Sequence, residues 1–287
     1  MKIAILGPKG TYSEQAAFRF AKRLKIPLEN IELIYTNIQN SLRLVQNLQA
    51  DYAVVPVENM IDGLIGSTFD TLIEFQDFVK VCDEIHLPLS HKLAAPPGFD
   101  WSKTERIYSH PSPISQCQNR LGELFPQADL IPILSTAEAA QNVLRDPLLK
   151  SAAICSLETA KANNMSIFDQ EIQDYAVNET RFLVCALKDG LPTGNDHTLL
   201  AVRFGANQPG QLFQTAKFFA DAKIDLTFIQ SRPYKIRPQE YVIIFEFNGH
   251  KSAPEIETAL KNIELLVRAS EGWKKILGSY PKREREE

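Results

Sequence analysis

The chain has 287 residues, of which 44% are hydrophobic and 23% charged, and its formal net charge is −4. This length exceeds one typical hydrophobic core, so two or three domains are expected. The charge gives no electrostatic reason to expect nucleic acid or an anionic membrane as a partner. No CxxC or CxxH spacing occurs, and the N-terminal MKIAILGPKG lacks the apolar core of a signal peptide, so we expect a cytoplasmic protein without a zinc site.

Strand-like and helix-like segments alternate over the first 187 residues. Predicted strands cover residues 2–6, 31–35, 52–56, 106–109, 130–134, 152–155 and 180–187. Predicted helices cover 13–24, 38–48, 67–75, 112–124 and 135–144, and capping boxes begin two of them, at Thr11-x-x-Glu14 and Ser135-x-x-Glu138. This alternation predicts α/β architecture with largely parallel sheets and a ligand site at the carboxyl ends of strands.

A linker-like segment, KDGLPTGND, covers residues 188–196, and the pattern restarts after it. Predicted strands cover 199–204, 224–230, 241–247 and 273–277, and predicted helices cover 210–222 and 253–269. The order βαββαβ is that of the ferredoxin-like split motif. The charged tail at 282–287 is expected to be a solvated chain end.

Polar side chains follow several of the predicted strands. They occur in the loop at 7–11, at Glu58-Asn59, at Ser135-Thr136 and in the stretch NETRFLV at 178–184. A helix cap would explain each one singly. Together they predict a cleft in which hydroxyls, amides and helix N-termini bind small anions, rather than a metal or cofactor site.

Motifs in a fixed order then identify a resemblance that spans nearly the whole chain. The first region resembles prephenate dehydratase, and the second resembles the ACT regulatory domain. The motifs are GPKGTYSEQAA (7–17), VPVENMIDGLIGSTFDTL (55–72), SHPSPISQC (109–117), STAEAA (135–140), AAICSLETA (152–160), NETRFLV (178–184), PGQLF (209–213), IDLTFIQSRP (224–233), NGH (248–250) and LGSYP (277–281).

The resemblance implies an α/β fold with a catalytic region of two lobes, like a type II periplasmic binding protein, and a βαββαβ ACT domain. We expect lobe one at about 1–76 and 165–187, lobe two at about 77–164, a linker at 188–196 and the ACT domain at 197–281. It implies a lyase that converts prephenate to phenylpyruvate, carbon dioxide and water in phenylalanine biosynthesis. No metal or organic cofactor is implied. Phenylalanine is the expected effector, and a homodimer or homotetramer the expected assembly.

Thr180 matches the threonine of the family's TRF motif, which implies a catalytic role. A threonine hydroxyl is a weak acid, so we expect it to donate a hydrogen bond to the departing oxygen. Arg181 has two open roles, substrate contact or support of the domain, because neighbouring strand residues point to opposite faces. Phe182 is expected to pack beneath Thr180, and Glu58 to bind an arginine or order its loop. The expected substrate-binding set is Thr11, Glu58, Asn59, Ser135, Thr136, Asn178, Arg181 and Phe182.

The chain departs from the family pattern at several positions. Met60 stands where relatives carry serine, which either removes a hydroxyl from the cleft or fills space in the lobe core. The loop after His110 is also altered. Gln230 replaces a glutamate within the expected effector site, which comprises Gly210, Gln211, Leu212, Gln230, Ser231, Arg232 and Pro233.

Two other functions remain open from the sequence. One is an enzyme on the same scaffold with a different outcome, acting on arogenate or decarboxylating without aromatisation; the intact Thr180-Arg181-Phe182 argues against the second version. The other is a non-catalytic amino-acid sensor, which Met60 and the altered His110 loop favour.

Overall fold

The computed structural model describes residues 1–75, 77–146, 148–206 and 208–284. Its strands form three sheets, of six, five and four strands. Among the described residues, no helix is both long and apolar enough to cross a bilayer. Residues 285–287 of the predicted solvated tail lie outside the described residues.

The elements follow one another in three groups. The first group is β1 (Lys2–Leu6), α1 (Tyr12–Arg23), β2 (Glu32–Thr36), α2 (Ile38–Gln46), β3 (Tyr52–Asn59), β4 (Gly63–Leu64), α3 (Gly66–Glu74) and β5 (Lys80–Pro88). The second is β6 (His91–Ala95), β7 (Arg106–Ser109), α4 (Pro111–Leu124), β8 (Asp129–Pro132), α5 (Thr136–Leu144), β9 (Ser151–Ser156), α6 (Leu157–Ala162) and β10 (Ser166–Ile167). The third is β11 (Glu179–Ala186), β12 (Asp196–Arg203), α7 (Gln211–Asp221), β13 (Leu226–Pro233), β14 (Tyr241–Asn248), α8 (Pro254–Ala269) and β15 (Trp273–Pro281).

The first lobe is built on the sheet β2-β1-β3-β11-β5, with β4 attached to β3. β1 runs parallel to β2 and β3, whereas β11 lies antiparallel between β3 and β5. The chain leaves this lobe after β5 and returns to it through β11. The predicted lobe boundaries at residues 77 and 165 are therefore wrong. β5 pairs with β11 from Lys80 to Pro88 and belongs to the first sheet, whereas β10 pairs with β6 in the other sheet.

The second lobe is the sheet β10-β6-β9-β7-β8 with helices α4, α5 and α6. β7 is parallel to β8 and β9, so the carboxyl ends of these strands lie at one edge. Ile107, Cys117, Leu121 and Ile154 are fully or almost fully buried in its core. The alternation of strands and helices in the sequence therefore predicts the α/β class of both lobes correctly.

The C-terminal domain, residues 196–281, is the antiparallel sheet β13-β14-β12-β15 with helices α7 and α8. One face of the sheet packs against these helices, with Phe219, Phe245, Phe247 and Ile263 in the core between them. The predicted βαββαβ order is confirmed, and with it the two-lobed α/β region that precedes it.

The other face of the C-terminal sheet packs directly on the first lobe. Val81 and Leu183 of the lobe share one buried apolar cluster with Ala201 and Leu277 of the C-terminal domain. A Cβ atom on Gly278 would lie 2.1 Å from the Val81 carbonyl oxygen, so glycine is what allows β15 to approach β5 so closely. The two domains therefore share a hydrophobic core, and the lobe carrying β11 is held against the C-terminal sheet.

Two local predictions need correction. Thr11 precedes α1 without a side-chain capping bond, and Glu14 instead accepts from the Gly10 N–H at 2.7 Å, whereas Ser135 caps α5 as predicted. The charged tail does not begin as a solvated segment, because Arg283 binds both carboxylate oxygens of Asp83 at 2.8 Å. Complementary charge on β5 explains this docking.

Candidate active site

Thr180 lies near the start of β11, opposite Asn59 at the end of β3. Only 7% of Thr180 is exposed, and its Oγ1 accepts a hydrogen bond from Asn59 Nδ2 at 2.9 Å. Phe182 and Val184 follow on the same face and pack in the core with residues of α1. This face of β11 therefore places the hydroxyl above an apolar floor.

The Asn59 side chain has one defined orientation. Its Oδ1 accepts from the backbone N–H groups of Ile61 and Asp62, both at 2.9 Å, so this atom must be the oxygen. The Nδ2 must then face Asn178 Oδ1 and Thr180 Oγ1, both at 2.9 Å. Because Thr180 is the acceptor in this bond, its own hydrogen is available to a ligand in the cleft.

A chain of hydrogen bonds continues from Asn59 into the second lobe. Asn178 Nδ2 donates to Gln116 Oε1 at 2.7 Å, and Gln116 Nε2 donates to Asp62 Oδ2 at 2.7 Å. His91 Nε2 lies 2.8 Å from the same Gln116 oxygen and must be its donor. Burial lowers the pKa of His91, so the ring is neutral and its Nδ1 accepts from the Tyr12 hydroxyl at 2.8 Å. The network around Thr180 is fixed by neutral side chains and one carboxylate.

The same region joins the two lobes. Ser112 at the start of α4 bonds Asp62 of the first lobe. Thr159 Oγ1 of α6 donates to the Gly10 carbonyl oxygen at 2.7 Å. These contacts hold the lobes together around Thr180, which is the arrangement expected of a closed, water-poor cleft.

A cavity of about 1000 Å³ lies between the lobes, and Thr11 and Ser135 line it. Thr180 is not among the residues that line this cavity, so this space and the buried hydroxyl are separate features of the described structure. Thr136 is only 7% exposed at the first position of α5. Because α1 and α5 both begin here, their N–H groups and dipoles favour an anion in this space.

Arg181 does not face the cleft. Its Nε donates to Glu84 at 2.7 Å, its Nη1 donates to Glu246 at 3.0 Å, and its Nη2 donates to Tyr280 at 3.1 Å. Of the two roles open from the sequence, these contacts favour support of the domain over substrate contact. The reason is strand alternation, because Arg181 shares its face with Leu183, which packs on the C-terminal sheet.

Two further members of the predicted substrate-binding set lie elsewhere. Glu58 lies opposite Arg181 in the register of β3 and β11. It lines a cavity of about 330 Å³ on the side of the C-terminal domain. Phe182 is 2% exposed and packs in the lobe core. Met60 is 56% exposed and lines the same cavity as Glu58, so the interpretation that it fills the lobe core is wrong.

The two carboxylates behind Thr180, Glu84 and Glu246, share the Arg181 guanidinium. Glu84, His197 and Glu246 carry polar atoms within 4.8 Å of one another, a spacing that would suit a metal ion, but the Arg181 guanidinium binds both carboxylates. Burial opposes the charge on Glu246, yet His197 and Arg181 hold the pKa of that carboxyl well below its ordinary value. The His197 contact is an ion-pair distance of 3.5 Å, and neither ring nitrogen has a hydrogen-bond partner.

The predicted effector residues lie in two places on the C-terminal domain. Gly210 has φ +89° just before α7, where glycine is favoured, and Gln211 folds back to donate to the Ala206 carbonyl oxygen. The second segment is part of β13, an edge strand. There Arg232 is bound to Asp70 of α3 by two hydrogen bonds of 2.8 and 3.0 Å, so it joins the domains. The remaining members of the set are Leu212, Gln230, Ser231 and Pro233.

Sequence reasoning missed three residues of the hydrogen-bond network. Gln116, His91 and Asp62 all contact the Asn59–Asn178 pair directly or through one side chain. Gln116 stands inside SHPSPISQC, and Asp62 inside VPVENMIDGLIGSTFDTL, so each lay in a motif already noted. His91 had no such signal, because its strand was not predicted.

Comparison with known proteins supports these observations. Residues 3–189 match the family model for prephenate dehydratase, and residues 198–265 match that for the ACT domain. A bifunctional chorismate mutase/prephenate dehydratase of Aquifex aeolicus is 35% identical over 98% of this chain and 74% of its own length. A prephenate dehydratase of Methanocaldococcus jannaschii is 32% identical over 96% of both chains. The crystal structure of a prephenate dehydratase from Arthrobacter aurescens in complex with L-Phe is similar with a TM-score of 0.86, at 29% identity, over 98% of this chain and 90% of that one.

Proposed function

This chain belongs to the prephenate dehydratase family, and from that premise we propose that the Thr180 hydroxyl is its catalytic group. The family's reaction is the decarboxylating dehydration of prephenate to phenylpyruvate, a hydro-lyase step of phenylalanine biosynthesis. One observation carries the assignment: Asn59 donates to Thr180 Oγ1, which leaves the hydroxyl hydrogen for a ligand. A buried, oriented donor of this kind stabilises charge that develops on a departing oxygen.

The reaction needs little else from the protein. As the carbon–carbon bond to the ring carboxylate breaks, its electron pair completes the aromatic ring and the carbon–oxygen bond breaks. The departing oxygen carries negative charge and leaves as water after it takes up one proton, which solvent supplies. Thr180 donates a hydrogen bond to that oxygen, and Asn59 strengthens the donor by bonding its lone pair. Aromatisation supplies the driving force.

Substrate recognition follows from the neutral donors around the cleft. We assign the carboxylates of prephenate to the N-termini of α1 and α5, near Thr11, Ser135 and Thr136, where free N–H groups and helix dipoles favour anions. Asn178 and Asn59 complete the hydrogen-bonded wall next to Thr180. Arg181 has no part in this binding.

The test is conversion of prephenate by the purified chain, followed by the absorbance of phenylpyruvate in alkali. Formation of product above the uncatalysed rate supports the assignment. The absence of product from both prephenate and arogenate would leave the amino-acid sensor as the function. Arogenate offered in a parallel reaction separates the remaining alternative, since phenylalanine is then the product.

The ACT domain implies feedback regulation, and a relative of known structure binds L-Phe. We propose that phenylalanine binds the C-terminal domain at the Gly210–Leu212 turn and the Gln230–Ser231 stretch of β13, with Pro233 at its end. Arg232 is excluded from this site because Asp70 already binds it. Calorimetry of the full chain with phenylalanine tests the proposal: heat that persists unchanged when Ser231 and Gln230 are both replaced by alanine contradicts it.

We also propose that the chain assembles as a homodimer or homotetramer through its C-terminal domain. β13 is an edge strand of its sheet and carries the exposed Ile229, and Leu212 and Phe213 of α7 are exposed on the same domain. An unpaired edge with apolar neighbours is a surface on which a second copy can add its own sheet. Sedimentation at micromolar concentration gives the assembly size, and a monomer would contradict the proposal.

A further inference from the structure

One contact connects the catalytic strand to the C-terminal domain directly. Thr180 and Arg181 are neighbours on β11 and point to opposite faces of the sheet. The Arg181 guanidinium binds both oxygens of Glu246 on β14 and the hydroxyl of Tyr280 on β15. The residue after the proposed catalytic group is thus bonded to two strands of the other domain.

These partners are deeply buried and held by further bonds. Glu246 is 2% exposed and Tyr280 is fully buried. Tyr280 donates to Glu246 Oε1, and Thr227 donates to Glu246 Oε2 at 3.2 Å. A buried, two-pronged pair between guanidinium and carboxylate has a narrow range of geometries, since each unpaired charge would be costly. The pair therefore restricts where Arg181, and the backbone that carries it, can lie.

The ladder beside Thr180 is irregular on the side of Asn59. The pairing of β11 with β3 shifts register between Arg181 and Phe182 because β3 carries an extra residue, Val57, whereas β11 pairs with β5 without interruption from Glu179 to Val184. The strand that carries Asn59 therefore bends close to its contact with Thr180. The Arg181 side chain, bonded to the C-terminal domain, restrains the position of β11 relative to that bend.

We propose that Arg181 is a positioning residue for the reaction, and that Glu246 and Tyr280 of the C-terminal domain hold it. Through this anchor the C-terminal domain fixes the Thr180 hydroxyl at hydrogen-bond distance from Asn59. The proposal rests on the catalytic role assigned to Thr180. It gives the C-terminal domain a function in the chemical step itself, in addition to effector binding.

The experiment compares two interdomain ion pairs of similar geometry. Glu246→Gln keeps the size of the side chain and removes its charge from the Arg181 pair. Asp70→Asn does the same to the pair with Arg232, which also joins the domains but lies on α3 and β13, away from β11. Each full-length variant is measured for kcat and KM with prephenate, and for amide hydrogen exchange of the peptide that contains residues 179–182.

We expect Glu246→Gln to lower kcat by at least about tenfold, with KM changed by less than about threefold, because the hydroxyl is displaced while the binding groups stay. Exchange of the 179–182 amides should be faster in this variant. Asp70→Asn should keep the kcat and the exchange rates of the unaltered chain. Tyr280→Phe removes one hydroxyl without a charge and should lower kcat in the same direction by a smaller factor, which provides a variant that folds if Glu246→Gln does not.

The proposal is overturned if the kcat of Glu246→Gln or, should that variant not fold, of Tyr280→Phe equals that of the unaltered chain. It is equally overturned if Asp70→Asn lowers kcat as much, since any weakening of the domain contact would then suffice. An unaltered chain without turnover would instead contradict the proposed function. In that case the hydrogen-exchange rates still test whether Glu246 and Tyr280 hold β11 through Arg181. Equal exchange rates of the 179–182 amides in the Glu246 and Asp70 variants would contradict this anchor.

Discussion

Replacing Asn59 by aspartate tests the orientation of the Thr180 hydroxyl with almost no change in shape. The two backbone donors, at Ile61 and Asp62, still find an oxygen to bind. The atom that faces Thr180 becomes an acceptor instead of a donor. Thr180 must then direct its hydrogen to the new carboxylate, which withdraws it from the substrate.

The size of the effect follows from the bond that is lost. One hydrogen bond to a charged group contributes about 1.5–3 kcal/mol, which is about one to two decades in rate if it acts on the transition state. We therefore expect the kcat of Asn59→Asp, followed by phenylpyruvate absorbance, to fall by about tenfold to a hundredfold. Asn37→Asp is the matched control, because Asn37 Oδ1 caps α2 by accepting from Asn40 and aspartate can do the same. A kcat for Asn59→Asp within twofold of the control, in a folded protein, would refute the assigned orientation.

Two further predictions concern stability. Burial alone would lower the pKa of His86, but its contacts with Glu84 and Glu179 raise it above the ordinary value. A raised folded-state pKa stabilises the protein fully below about pH 6.5, the ordinary value for histidine, and this contribution is lost as pH rises through the folded value. His86→Gln should thus lower Tm more at pH 6 than at pH 9, and an equal loss at both would contradict the pairing. Phe182→Ala should cost about 3–5 kcal/mol in chemical unfolding, as for a core aromatic; a loss below 1 kcal/mol with a raised KM would instead support direct substrate contact.

The sequence predicts the architecture because its hydrophobic pattern is regular in most elements. β1 and β3 are short apolar runs, and α1 and α5 carry apolar residues at helical spacing, so each was found with small errors at its ends. β5 was not found. Its Asp83, Glu84 and His86 interrupt the apolar pattern. They are tolerated in a buried strand because partners approach from elsewhere in the chain: Arg23 and Arg283 bind Asp83, Arg181 binds Glu84, and Glu179 contacts His86.

The sequence predicts only part of the candidate site, again because some of its contacts come from distant parts of the chain. Thr180 and Asn59 both lie in motifs that imply a function, and the fold places Asn59 Nδ2 2.9 Å from Thr180 Oγ1. The sequence does not show which face of the sheet Arg181 lies on. Strand alternation places Thr180 and Arg181 on opposite faces, but it does not say which of the two faces the cleft. That choice depends on the packing of the C-terminal sheet against β11. Gln116 contacts Asn59 in the folded chain, although the two residues are 57 positions apart in the sequence.

We propose that one hydroxyl, at Thr180, carries the chemistry. The sharpest experiment is the turnover of prephenate by Thr180→Ala and Thr180→Ser, with thermal unfolding as the check on folding. We expect Thr180→Ala to lose at least about a hundredfold in kcat, and Thr180→Ser to keep clearly more activity because serine retains the hydroxyl. Equal turnover by the two folded variants would contradict the account.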